Sequence, residues 1–130
     1  MNKPRKRKTN HKGRNKSAGA FLPIPYTMAR SDAWRSLSGS AVKVWIEIRC
    51  RYNGFNNGEL SLSLREAASL LGMSQTTVKR AFDELVMKGF LRKTREGHWY
   101  GRRAAEYAVT DREHQGHLAT RDWAKWRSRK

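Results

Sequence analysis

The chain has 130 residues, of which 28 are Lys or Arg and 11 are Asp or Glu, giving a formal charge of +17. That length holds one domain with tails and excludes two full domains, and the charge favours polyanionic partners, nucleic acid foremost. The single cysteine, Cys50, excludes an internal disulfide and fits a reducing compartment, the cytoplasm, while no apolar run is long enough to span a membrane or act as a secretory signal, so no membrane partner is expected.

Residues 1–20 read as a disordered basic arm. Lys3, Arg5, Lys6, Arg7, Lys8, Lys12, Arg14 and Lys16 repel one another, with no acid among them and no apolar surface to bury. On DNA such an arm follows phosphates or enters a minor groove; otherwise it is a solubilising tail. Phe21-Leu-Pro-Ile-Pro-Tyr26 carries two prolines that bar a helix interior and is expected to lie extended on the domain. Ser31 caps one or two helical turns through Trp34. A longer helix is predicted over 39–52 with Ser38 as its cap. Ala41, Val44, Trp45, Ile48 and Tyr52 follow the helical period, and Val42, Ile46 and Cys50 make a second apolar row. A stripe this wide predicts a central helix packed on two sides, with Cys50 as a small core residue and Lys43, Glu47 and Arg49 on the remaining face.

Residues 53–58 break the pattern with Asn and Gly, and 59–62 alternate as a short strand does. Ser63 and Glu66 match a capping box, in which each satisfies a free backbone N–H. They open a short helix with Ala67, Ala68, Leu70 and Leu71 apolar and Gly72 at its end. Ser74 caps the next helix, predicted over 74–87, with Val78, Ala81, Phe82 and Leu85 facing inward and Gly89 beyond it. Strands are predicted over 90–95 and 106–110, with a turn at Glu96 and Gly97. Residues 111–130 form a basic tail. In it Trp123 and Trp126 share one side of a short helix, which docks either on the domain itself or on a second copy or protein partner.

Two helices meeting at a turn on Gly72 and Met73, with small Ala68 at the approach and Val78 and Leu85 locking the second helix onto the first, resemble a helix-turn-helix. With a strand before and a hairpin after, residues 38–110 resemble the winged helix-turn-helix DNA-binding proteins of bacteria and their plasmids and prophages. The run Ser74-Gln-Thr-Thr-Val-Lys-Arg-Ala-Phe-Asp-Glu-Leu85 carries the likeness, and residues 21–25, 52–58 and 120–126 add to it. The fold expected is α+β, mainly α with a small β-hairpin: a winged helix-turn-helix domain over 21–110 between the arm and the tail. The resemblance implies that helix 74–87 enters a major groove and that the wing, 92–104, meets the backbone or a minor groove.

At ~100° per residue from Val78, Thr76, Arg80 and Asp83 point away from the core, and Gln75, Thr77 and Lys79 flank them. Gln75 suits adenine, Arg80 or Lys79 suits guanine or phosphate, and Asp83 suits cytosine or holds the two cations in place. Arg92, Lys93, Arg95, His98, Arg102 and Arg103 surround the hairpin tip, with Trp99 and Tyr100 between them, where arginines sense groove width. The expected DNA-binding set is therefore Gln75, Thr76, Thr77, Lys79, Arg80, Asp83, Arg95, His98, Arg102 and Arg103, with the arm residues Lys3 to Lys8. The expected activity is sequence-specific binding of double-stranded DNA by a nucleoid-associated transcription regulator. A plasmid or phage replication initiator, or another mobile-element DNA-binding protein, is the alternative, and an RNA-binding or protein-docking winged helix a further one. His114 and His117 resemble a metal pair only superficially, because no other Cys or His lies near them. No nucleophile stands beside a base and no glycine loop cradles phosphate, so no metal, cofactor or enzymatic activity is expected.

Overall fold

Four serines mark where four of the five α-helices among the described residues begin; the first helix, Tyr26–Ala29, follows Pro25 with no side-chain cap. Ser31, Ser38, Ser63 and Ser74 are each extended, and each side chain accepts a hydrogen bond from the amide three residues on, at Trp34, Ala41, Glu66 and Thr77. Such a bond satisfies a donor the helix cannot pair internally and contributes about 1 kcal/mol. The computed structural model describes residues 20–98 and 103–128. In it the helices are α1 (Tyr26–Ala29), α2 (Asp32–Arg35), α3 (Gly39–Cys50), α4 (Leu64–Leu71) and α5 (Gln75–Met87). Gly72 ends α4 in the left-handed region, φ 68° and ψ 44°, which costs glycine little. The arm residues Lys3, Arg5, Lys6, Arg7 and Lys8 lie outside the described residues.

The strands β1 (Leu60–Ser61), β2 (Leu91–Arg95) and β3 (Glu106–Val109) form an antiparallel sheet in the order β1-β3-β2. Leu60 and Lys93 both pair with Tyr107, and Leu91 pairs with Val109. The β2–β3 pairing is irregular between Lys93 and Arg95, resumes at Arg95 with Glu106, and is followed by an isolated bridge between His98 and Arg103. Among the described residues the architecture is thus α+β, five α-helices with a three-stranded antiparallel sheet.

α3 packs chiefly on α5, and the sheet closes the core from the side. Trp45 and Ile48 of α3, Val78 and Leu85 of α5, and Leu60, Phe90 and Val109 from the sheet region are almost wholly buried. Trp34 stands edge-on to both Trp45 and Phe90, with centroids 5.3 and 5.7 Å apart. Trp123 stacks on Phe90 at 6.2 Å. Leu22 and Ile24 lay the segment before α1 against the same core.

Several expectations need correction. α3 is buried on one side only: Cys50 is exposed, and so is Ile46 at 38%. With Val44, Trp45 and Ile48 turned to the core, the row Val42–Ile46–Cys50 lies on the opposite side of the helix. Arg49, expected on the polar face, is instead buried at 6% exposure and paired at 3.0 Å with Asp111. The capping box is half formed, because Glu66 reaches Arg51 at 3.1 Å rather than turning back to its own helix end. α3 stops at Cys50, two residues short of the predicted end.

The tail docks on its own domain. Residues Asp122–Lys125 form a short 3-10 helix, Trp123 is buried, and Trp126 packs at the core margin. A Cβ at Gly89 would lie 2.6 Å from the carbonyl carbon of Asp122, so the approach requires glycine there. Asn57, itself buried, holds the start of the tail. Its amide donates to the carbonyls of Val109, Arg112 and Glu113, and its oxygen accepts from the Val109 amide at 2.7 Å. At the far end, the Ser128 amide donates to Asp32 at 2.7 Å.

Candidate nucleic-acid interface

Burial of Val78, Ala81, Phe82 and Leu85 leaves the other side of α5 to solvent. Gln75, Thr76, Lys79, Arg80 and Asp83 are all exposed there. Thr77 is not free in the same way. It is half-buried, and its Oγ1 accepts the Ser74 hydroxyl at 3.0 Å while its amide donates to the same serine. Capping, rather than a ligand, occupies this side chain. Lys79 lies 2.9 Å from Asp83, and Arg80 has no acidic partner among the described residues. Of the two cations that Asp83 was expected to reach, it therefore holds only Lys79.

α5 is anchored at its other end by a polar network. Glu84 accepts from the Ser38 amide at 3.0 Å and the Ser38 hydroxyl at 2.7 Å, and from Lys88 at 2.9 Å. Lys88 also donates to the Ser36 carbonyl, and its ammonium lies 5.1 Å from the Trp126 ring centre. Burial pushes the Glu84 carboxyl up, but the bonds from Lys88 and Ser38 outweigh it and hold the group below its ordinary value. This network fixes the angle of α5 against the α2–α3 junction.

The β2–β3 hairpin stands beside α5. His98 and Arg103 exchange backbone hydrogen bonds at 2.8 and 2.9 Å, and both are exposed. Arg95 is tied to Glu106 at 3.5 Å, so its charge is already engaged. Arg102, together with Trp99 and Tyr100, lies outside the described residues. Between α5, the hairpin and the start of α4 runs an open groove of about 1010 Å³. Lys79, Lys93, His98 and Arg103 line it, and so does Arg65 from the first turn of α4; Glu96 also lines it and pairs with Lys93 at 3.3 Å. Its floor is Phe82 stacked on Tyr107, centroids 4.8 Å apart and planes at 11°. Burial, with the charges of Asp83 and Glu96 nearby, pushes the Tyr107 phenol up to about 12.

The structure thus brings Lys79, His98 and Arg103 into one basic groove, and leaves Gln75, Thr76 and Arg80 on the adjoining outer row of α5. Arg65 and Lys93 join them from outside the expected set. Arg65 was legible in principle, since it is the polar position of a helix whose apolar residues are Leu64, Ala67, Ala68 and Leu71. Among the described residues, no three His, Cys, Asp or Glu side chains are placed to hold a metal ion, and no helix is long and apolar enough to cross a membrane. No protein-family model, curated protein or solved structure matches the chain.

Proposed function

We propose that this protein binds double-stranded DNA sequence-specifically, as a winged helix-turn-helix that acts in transcription regulation. α4 and α5 are the helix-turn-helix, α5 enters the major groove, and the β2–β3 hairpin is the wing. The reading rests above all on the outer row of α5. Five polar or charged side chains are exposed on its N-terminal two-thirds, Arg80 without an acidic partner among the described residues, beside a groove whose lining holds Arg65, Lys79, Lys93 and Arg103 against one acid, Glu96. Gln, Thr and Arg are side chains that can read base edges, and the groove and arm would hold phosphates. Trp123 is buried against its own domain, which supports this reading over a protein-docking one.

Selection of bound fragments from genomic DNA tests the proposal, and a sharp motif is the expected result. Affinity for that motif should fall steeply with salt, by about 0.9 log unit per log unit of salt for each phosphate contacted. Arg80→Ala should cost about 1–3 kcal/mol at the selected site and relax base preference there. A flat selection profile, with weak and salt-insensitive binding to every duplex, would end this reading.

A further inference from the structure

The two faces of the β2–β3 hairpin are both basic. Side chains alternate across a strand, so Lys93 and its partner Tyr107 face the groove beside α5, whereas Arg92 and its partner Ala108 face the other way. On that second face the tail closes a cavity of about 220 Å³. Arg92, Arg112, His114, His117 and Thr120 all line it, and no acidic residue does.

This cavity is held by backbone rather than by chance side-chain positions. His114 and His117 bond to each other through main-chain atoms at 3.0 and 2.9 Å, across a tight turn with positive φ at Gln115 (50°) and Gly116 (82°). Pairing across such a turn sets the two imidazoles on one side of it. The carbonyls of Arg112 and Glu113 are fixed by Asn57. Arg92 has a weak tie to Asp122 at 3.3 Å, and Arg112 and His117 have no acidic partner among the described residues.

Arg92 and Arg112 both line this small cavity, and two arginines so placed disfavour a cation, so the histidine pair does not suit a metal ion. The same groups suit an oxyanion, because arginine forks match phosphate oxygens bidentately and imidazoles donate beside them. We propose that the cavity between the hairpin and the tail is a phosphate-binding site. Its ligand is either a phosphodiester of bound DNA, which rests on the function proposed above, or a free phosphate group, which does not.

The test uses the full chain and inorganic phosphate. Phosphate replaces chloride at constant ionic strength and pH, and the ring signals of His114 and His117 and the amides of 112–118 are followed by NMR. Saturable, phosphate-specific shifts are expected. Arg112→Gln with His117→Gln should weaken them about tenfold or more, with the amide spectrum of the core unchanged. The same double variant is then compared with wild type on the selected duplex. A salt slope lower by about one, with site preference kept, identifies a backbone phosphodiester as the ligand. Phosphate-specific shifts with an unchanged slope identify a free phosphate group. Shifts that chloride reproduces equally overturn the site, whatever the slope does. If the wild-type protein binds no duplex, the DNA reading fails and the phosphate titration still decides the site.

Discussion

Lys79 and Arg49 are both helix cations with a carboxylate within 3.0 Å, yet they belong to regions that use charge in opposite ways. The Lys79–Asp83 side chains are 57% and 58% exposed, on the outer row of α5. The Arg49–Asp111 side chains are 7% and 11% exposed, in the seam where the tail meets α3. An exposed pair contributes at most about 1 kcal/mol and leaves its groups free to exchange partners. A buried pair gains little over a well-packed apolar substitute, but losing one member strands the other in the interior. A chain of +17 therefore does not present its charge uniformly. Part of it is available to a ligand along α5 and the groove, and part is locked into holding the tail.

The largest effect should follow from breaking the seam. Asp111→Ala leaves Arg49 buried without its carboxylate and should cost about 3–5 kcal/mol in denaturant unfolding, while Arg49→Met with Asp111→Leu should recover most of it. A loss below about 1 kcal/mol would mean that the seam behaves like exposed surface and that the contrast with α5 is false. Asn57→Ala comes next. It leaves the Val109 amide and the adjoining carbonyls without their partner, for about 1–3 kcal/mol. Stability unchanged by this substitution would show that the Asn57 bonds contribute nothing to holding the tail, leaving that to the Arg49–Asp111 pair and Trp123 packing.

The network at the far end of α5 lies between these extremes, and pH separates it from both. The Glu84 carboxyl is held below its ordinary value of 4.5 in the folded protein, so the unfolded chain takes up its proton first as pH falls. The stability it contributes is therefore fully present above pH 4.5 and is lost as pH drops below it. Glu84→Gln should lie below wild type at neutral pH, and the gap should close in acid. A gap that does not vary with pH would show that the carboxylate's charge contributes nothing to anchoring α5.

The sequence made the local part of this comparison legible and the rest obscure, for physical reasons. Caps are signals between neighbours, so Ser31, Ser38, Ser63 and Ser74 could be read directly. The outer row of α5 could be read because one apolar face at the helical period determines the other. α3 could not be read in the same way: a stripe too wide for one contact does not say which half is buried, and Cys50 and Arg49 exchanged their expected environments. The partner that draws Arg49 inward is Asp111, 62 positions away, and no periodicity reports that distance. The tail's choice of its own domain depends on the close approach at Gly89, which in the sequence is merely a helix terminator. In the candidate site, Thr77 and Arg95 had the right residue types in the right places, but Ser74 and Glu106 claim them.

The smallest change in stability should accompany an informative change in binding. Asp83→Asn removes half of an exposed pair whose order, lysine before the acid, is the weaker one on a helix, so stability should change by no more than about 0.5 kcal/mol. Asp83 nevertheless pairs with Lys79, which lines the groove, and adds negative potential near Tyr107 on its floor. If the proposed DNA surface is correct, this acid opposes any phosphate that approaches without the right bases. Its removal should tighten binding to random duplex by about two- to fivefold, the scale of one exposed charge pair, with less gain at the selected site. Competition binding with labelled cognate and random duplexes measures the ratio directly. A ratio that stays constant would make Asp83 an ordinary surface partner of Lys79, and would place the discrimination of α5 on Gln75, Thr76 and Arg80 alone.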